Sequence, residues 1–202
     1  SYAQGMDNLW LGGKESFSPI PFGGSTIDFQ NGVANILYDN RPIDIYHTSA
    51  NISDSLGNLL FYTNGVVIGN SQGDTMVNGT GLNPSEYTID WYPEGLLIYQ
   101  ANIIIPKPNH PDVYFLFHST IDTIPLFGTK YLYLSEINMN LAGGLGAVTA
   151  KNTVIFSGAL QSGRLNAVRH GNGRDWWVYA HESDSDVFLR WLVTPSGLSG
   201  PF

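Results

Sequence analysis

Acidic side chains are the residues of this chain best suited to chemistry. Two carboxylates from different elements facing one channel can hydrolyse glycans, one donating a proton while the other attacks or activates water. The candidates are Asp54, Asp74, Asp112, Asp175, Asp184 and Asp186, all in turn-like stretches of Gly, Asn, Ser or Pro. In such places an aspartate more often bonds the backbone of its own turn than a substrate. The densest ligand cluster is His181-Glu182-Ser183-Asp184-Ser185-Asp186, whose alternating oxygens suit calcium. It lacks the loop glycine and terminal bidentate glutamate of an EF-hand and reads as a solvated hairpin loop between Tyr179 and Val187.

Other chemistries find weaker material. His47, His110, His118, His170 and His181 show no short ligand spacing, although His118 and His181 each end a similar apolar run. Asp54-Ser55-Leu56-Gly57 resembles a sialidase aspartate box but places its glycine one residue late. Ser157-Gly158 and Ser162-Gly163 do not form the Gly-x-Ser-x-Gly elbow of a serine nucleophile. Gly143-Gly144-Leu145-Gly146 precedes no helix and fails as a nucleotide loop. No catalytic residue, metal or cofactor is expected.

Composition limits the partners. The chain has 202 residues, 43% hydrophobic and 13% charged, with a formal net charge of -8. It is long enough for a buried core. Its nine Lys and Arg cannot supply the basic stripe that nucleic acid requires, and an anionic membrane surface is disfavoured for the same reason. Without cysteine there is neither a disulfide framework nor a thiolate metal site. No run approaches the length of a membrane-spanning helix, so no membrane insertion is expected. Ser1-Tyr2-Ala3 has the small-x-small form of a secretory cleavage site, with Gln4 as first mature residue.

The elements that must position these residues are short strands. Gly (23), Pro (11) and 13% aromatic residues favour strands joined by tight turns. One pattern recurs three times, a polar turn followed by an aromatic-rich apolar run: Gly57–Tyr62, Asp112–Phe117 and Asp175–Ala180, spaced by about 54 and about 63 residues. A strand precedes each run (Ala50–Ser53, Ala101–Ile105, Leu165–Arg169) and another follows (Val66–Gly69, Tyr131–Leu134, Phe188–Leu192). Further strands are expected at Ser25–Phe29 and Val33–Tyr38, and one long strand over Leu96–Ile105. Helical periodicity is nearly absent, and 137–145, broken by its glycines, reads as a loop. Repeated antiparallel strands at this period predict an all-β chain and a β-propeller of about three to four blades, with a β-sandwich as the alternative. Residues 1–3 are expected to be a signal-peptide remnant and 4–202 a single propeller segment, with blade-like repeats at about 50–65, 101–140 and 164–194.

The chain also resembles the propeller-like region that opens large exported proteins of Bacteroidetes-type bacteria, which end in a type IX secretion sorting domain. Carrying the resemblance are Asn8–Gly12, Ile27–Gln30, Ile52–Gly65, Ile104–Pro108, Gly143–Gly146 and Trp176-Trp177. It implies export through the type IX machinery, residence at the cell surface or in the extracellular matrix, adhesion-type partners and further blades on the same or another chain. On that footing the chain reads as part of a longer polypeptide.

Aromatic residues are the better candidates for recognition. Trp91 and Tyr92 lie between Pro84 and Pro93, outside the repeats, where exposed rings stack on surface glycans or partner proteins. The expected function is therefore a non-enzymatic interaction module, with a glycan hydrolase or lyase and a structural subunit of a fibre as alternatives. Asp54-Ser55-Leu56, Asp74-Thr75-Met76 and Asp122-Thr123-Ile124 resemble the O-glycosylation signal of Bacteroidetes-type bacteria, which makes Ser55, Thr75 and Thr123 candidate attachment sites in turns. Peptides spanning them, taken from the native protein, are expected to carry added glycan mass; bare masses at all three would remove the assignment.

Overall fold

A computed structural model describes residues 5–16, 18–122 and 128–202. The Ser1-Tyr2-Ala3 cleavage reading, Gln4 and Thr123 lie outside the described residues. The chain is nearly all-β, with 47% strand and 4% helix.

Strands run in antiparallel meanders. The first comprises β1 (Leu9–Gly12), β2 (Gly24–Asp28) and β3 (Asn35–Asp39). The second comprises β4 (Ala50–Ser53), β5 (Leu59–Thr63), β6 (Val67–Asn70) and β7 (Thr75–Thr80). After helix α1 (Glu86–Asp90) come β8 (Asn102–Pro106), β9 (Val113–Ser119), β10 (Thr129–Asn138) and β11 (Ala147–Leu160). The last has β12 (Asn166–Arg169), β13 (Trp176–His181), β14 (Phe188–Thr194) and β15 (Gly197–Ser199). The three aromatic-rich runs thus form β5, β9 and β13, each the second strand of its meander.

The second and third meanders join into one eight-stranded sheet. The junction is a single parallel pair, Val77 with Ala147. Side chains reinforce it: Asn78 Nδ2 donates to Val148 O (3.0 Å), and Lys151 Nζ donates to Thr80 O (2.7 Å) and Asn78 Oδ1 (2.8 Å). At the far edges β4 lies against β8, so this sheet is nearly closed and barrel-like. The first strands lie side by side in the order β1, β4, β8, β12. Asn51 on β4 stitches one such contact, its Nδ2 donating to Leu9 O (2.8 Å) and its Oδ1 accepting from Leu11 N (3.4 Å).

Alternation along the central strands feeds two cores at once, because successive side chains leave opposite faces of a sheet. On β9, Tyr114 and Leu116 pack with Phe61, Ile68 and Ile137 of the second and third meanders. Its Phe115 and Phe117 pack with Val178 and Trp191 of the fourth. A third cluster joins Leu11, Tyr62 and Val67 to Leu96 and Ile98. Arg41 is buried beside the first meander, donating to Gly12 O (2.5 Å) and Ser25 O (3.2 Å).

Turn chemistry repeats as well. Asp54 Oδ1 accepts from Leu56 N (2.8 Å) and Asn58 N (2.9 Å), while Asp54 N donates to Asn58 O. Asn70 does the same with Gln72 N (2.9 Å), Asp74 N (3.1 Å) and Asp74 O. The fourth residue, Gly57 or Gly73, has φ of 87° or 89°, which a side chain would strain.

Several sequence expectations need correction. The strand expected over 96–105 is confined to Asn102–Pro106, because Leu96 and Ile98 are buried in irregular backbone: Leu96 N donates to Asn64 O, and Leu96 O accepts from Thr48 N. The 14-residue β11 was not anticipated; its apolar residues do not alternate with polar ones, and four register shifts against β10 break the period. The 137–145 stretch is a loop from 139 onward, with a short 3-10 turn at Ala142–Gly144, and only its first two residues belong to β10. Thr75 opens β7 instead of lying in a turn, and stays exposed.

Phe117 is fully buried between the third and fourth meanders. Phe117→Ala is expected to lower unfolding free energy by about 3–5 kcal/mol, measured by denaturant unfolding; a loss under about 1 kcal/mol would show that the two meanders do not depend on this contact.

Candidate functional site

Buried polar groups generally find partners, and one such arrangement centres on His118 of β9. Its side chain is fully buried. Asn83 Nδ2 donates to Gly65 O (2.8 Å), so Asn83 Oδ1 is left to accept from His118 Nδ1–H (2.8 Å). His118 Nε2 then accepts from Ser135 Oγ–H (2.8 Å). Ser135 Oγ in turn accepts from Asn152 N (3.1 Å), and Asn152 Oδ1 accepts from Asn83 N (3.2 Å), closing a ring. Burial pushes the His118 pKa down to about 3, so the imidazole is neutral.

The order Ser135, His118, Asn83 is that of a nucleophile, base and orienting group. Here all three residues are fully buried. His181, at the end of β13, has a different setting, half-buried beside the Phe188 ring at 4.6 Å.

The aromatic candidates occupy a surface built by a second buried amide. Asn64 is fully buried. Its Nδ2 donates to Asp44 O (2.9 Å) and Pro93 O (2.8 Å), and its Oδ1 accepts from Val66 N (3.1 Å) and Val67 N (3.2 Å). It thereby ties the segments on either side of the second meander to the β5–β6 turn. α1 leads into the same region, capped by Ser85 Oγ accepting from Thr88 N (3.1 Å). Trp91 follows as its C-cap residue. Half-buried, it packs on the Tyr46 ring at 5.8 Å and the Tyr87 ring at 6.3 Å. Trp91 is thus largely a plug, whereas Tyr92 is 54% exposed. Nearby in the same region, His47 stacks on the exposed Tyr99 at 4.5 Å, and Lys14 Nζ lies over Tyr46. The sequence weighed His47 only as a metal ligand and did not single out Tyr46 or Tyr99, since Tyr99 lies far along the chain from the Tyr46-His47 pair.

A cleft of about 880 Å³ opens where the turn ending β4, the 107–112 loop after β8 and the turn after β12 converge. Leu60, Tyr114 and Trp176 of the three second strands line it, and Lys107, Arg169 and Arg174 bring positive charge. Lys107 Nζ pairs with Glu136 (3.0 Å), and Arg174 pairs with Asp175 (2.7 Å). Arg169 lies over the Trp176 ring at 4.5 Å. Trp177, on the opposite face of β13, instead has Arg190 over its ring. The candidate glycosylation site Ser55 is exposed at the cleft's edge, away from Thr75 on β7.

Among the proposed acids, Asp54 and Asp112 come from different meanders and both line this cleft. Asp54 spends its carboxylate on its own turn. Its hydrogen bonds from Asn58, Leu56 and Gly57 outweigh partial desolvation and hold its pKa below the ordinary value, the opposite of what a proton donor needs. The acids at Asp74 and Asp175 sit in turns capped by Asn70 and Asn172. Asp184 and Asp186 lie in the hairpin between β13 and β14, closed by Glu182 N donating to Val187 O. Among the described residues, no three of His, Asp and Glu gather as a metal site. No family model, no curated protein and no solved structure matches this chain.

His118 gives acid sensitivity a direction. Its native pKa lies below the unfolded value of about 6.5. Stability is therefore full above that pH and is lost as the unfolded chain alone takes up the proton, down to about pH 3. The expected loss is up to about 1.4 kcal/mol per pH unit. His118→Asn is expected to flatten this dependence while costing about 1–3 kcal/mol at neutral pH for the broken ring. Urea midpoints measured from pH 7.5 to 4 check both; an unchanged slope in the variant assigns the acid sensitivity elsewhere.

Proposed function

We propose that the chain is a non-enzymatic β-propeller segment of an exported protein, acting as an interaction module at the cell surface or in the extracellular matrix. The observation that carries the architecture is the side-by-side packing of β1, β4, β8 and β12 with successive meanders stacked outward from them. Blades radiating from a central axis have this arrangement. The three recurring aromatic runs, each at the second strand, support the same reading. Export through the type IX machinery follows from the resemblance in the sequence.

Recognition is assigned to the aromatic surface of Tyr92, Tyr99 and His47, with Trp91 beneath as support. Exposed rings fixed by buried amides give contact area at low entropic cost, suited to other proteins or to surface glycans. A glycan hydrolase or lyase has less support, because both carboxylate oxygens of Asp54 are engaged by its own turn.

A second reading, as a structural subunit of a larger assembly, is favoured by β3. The first meander has three strands where the others have four, and β3 forms its edge. Ile36, Leu37 and Tyr38 on that strand are all exposed. An unpaired apolar edge accepts a strand from another chain.

Binding of the purified chain to arrayed surface glycans and to extracellular proteins of the producing cell tests the module reading. Tyr92→Ala with Tyr99→Ala is expected to weaken the strongest binding about tenfold or more without moving the unfolding midpoint. Turnover of any arrayed glycan would favour the hydrolase instead, and a concentration-dependent increase in mass lost on Leu37→Lys would favour assembly.

A further inference from the structure

The cleft at the convergence of the β4, β8 and β12 turns has walls and charges that select a ligand class, independently of the Tyr92 surface. Its walls are apolar, supplied by Leu60, Pro106, Tyr114 and Met139. Three of the chain's nine Lys and Arg line it, in a protein of net charge -8.

Those three cations are not equivalent. Lys107 and Arg174 are neutralised by Glu136 and Asp175. Two carboxylates share the lining: that of Asp54 is engaged by its own turn, and that of Asp112 accepts from Asn140 Nδ2 (3.2 Å). Arg169 differs: among the described residues it has no ion-pair partner, and its one hydrogen bond runs from Nη1 to Gly173 O (2.9 Å). The indole of Trp176 lies beneath the guanidinium at 4.5 Å, and together with that bond it limits the head group's freedom. A planar guanidinium held flat in this way keeps its Nε–H and Nη2–H donors for two parallel bonds to a carboxylate.

We propose that this cleft binds a carboxylate carried on an apolar body, with Arg169 taking the carboxylate and the Leu60, Tyr114 and Met139 wall taking the body. A free aryl or alkyl carboxylate and the C-terminal carboxylate of a peptide ending in an apolar residue share this chemistry. No covalent step is involved.

Titration of the full chain with two matched pairs tests it: 3-phenylpropanoate against its amide, and acetyl-Gly-Phe with a free carboxylate against its C-terminal amide. Binding is read from the indole N–H resonance of Trp176, identified by its absence in Trp176→Phe, and from calorimetry. At least one acid is expected to bind, with its amide about tenfold or more weaker, since a charge-assisted pair is lost. R169Q is expected to weaken the acid by a similar factor, R169K to fall between, and added salt to weaken it further. Tyr92→Ala is expected to leave it unchanged, which separates this site from the aromatic surface. Binding of the peptide acid alone identifies a peptide terminus as the source, and binding of phenylpropanoate alone a small molecule; either supports the proposal. Equal binding of acid and amide, wild-type affinity in R169Q, or no binding by any probe overturns it.

Discussion

The ring of hydrogen bonds around His118 is the constraint on which the centre of the molecule depends. It draws on β9, β10 and β11 and on the segment that leaves β7, and so spans the junction where the two halves of the eight-stranded sheet share only one backbone pair. A half-satisfied polar network in a dry interior is worse than an apolar one. Each member must therefore be in place before the others are tolerable, and this couples the second meander to the third. The same burial that makes the ring hold strips the imidazole of its charge.

Around that centre, packing follows from strands buried on both faces. β9 shows it most clearly, with alternate residues entering two different cores. A sheet of this kind cannot stand alone, because each face needs a neighbour, so the meanders must stack. The surfaces left open are then the loops and turns at the ends of strands, where both the Tyr92 face and the Arg169 cleft are found. Polar side chains do the positioning there: the buried Asn64 amide fixes the loops beside Trp91, and Asn51 and the Asp54 and Asn70 turns hold the strand ends.

Much of this was legible in the residues. The aromatic runs after polar turns are β5, β9 and β13, and their flanking strands fall close to where the pattern put them, because alternation and turn glycines are local signals. Gly57 could be read as a turn residue from its neighbours alone. β11 could not, since its stability comes from long pairing with β10 and not from its own apolar pattern. α1 escaped notice because five residues are too few for a helical period. Leu96–Ile98 looked like strand because a buried apolar run is the same signal whether its backbone is paired in a sheet or held by single bonds to Asn64 and Thr48.

What the sequence by itself determined was the class: an acidic, cysteine-free, nearly all-β chain of short strands whose turns cap themselves. Those properties depend on residues close together in the chain. Only the tertiary structure decided which side chains meet. It drew His118, Ser135 and Asn83 into a sealed hydrogen-bonded ring, made Trp91 a plug and Tyr92 a surface, and brought Arg169 onto Trp176 in a cleft bounded by three separate turns. Burial and partner geometry set whether a polar group is a scaffold or a site, and both are created by contacts between residues far apart in the chain.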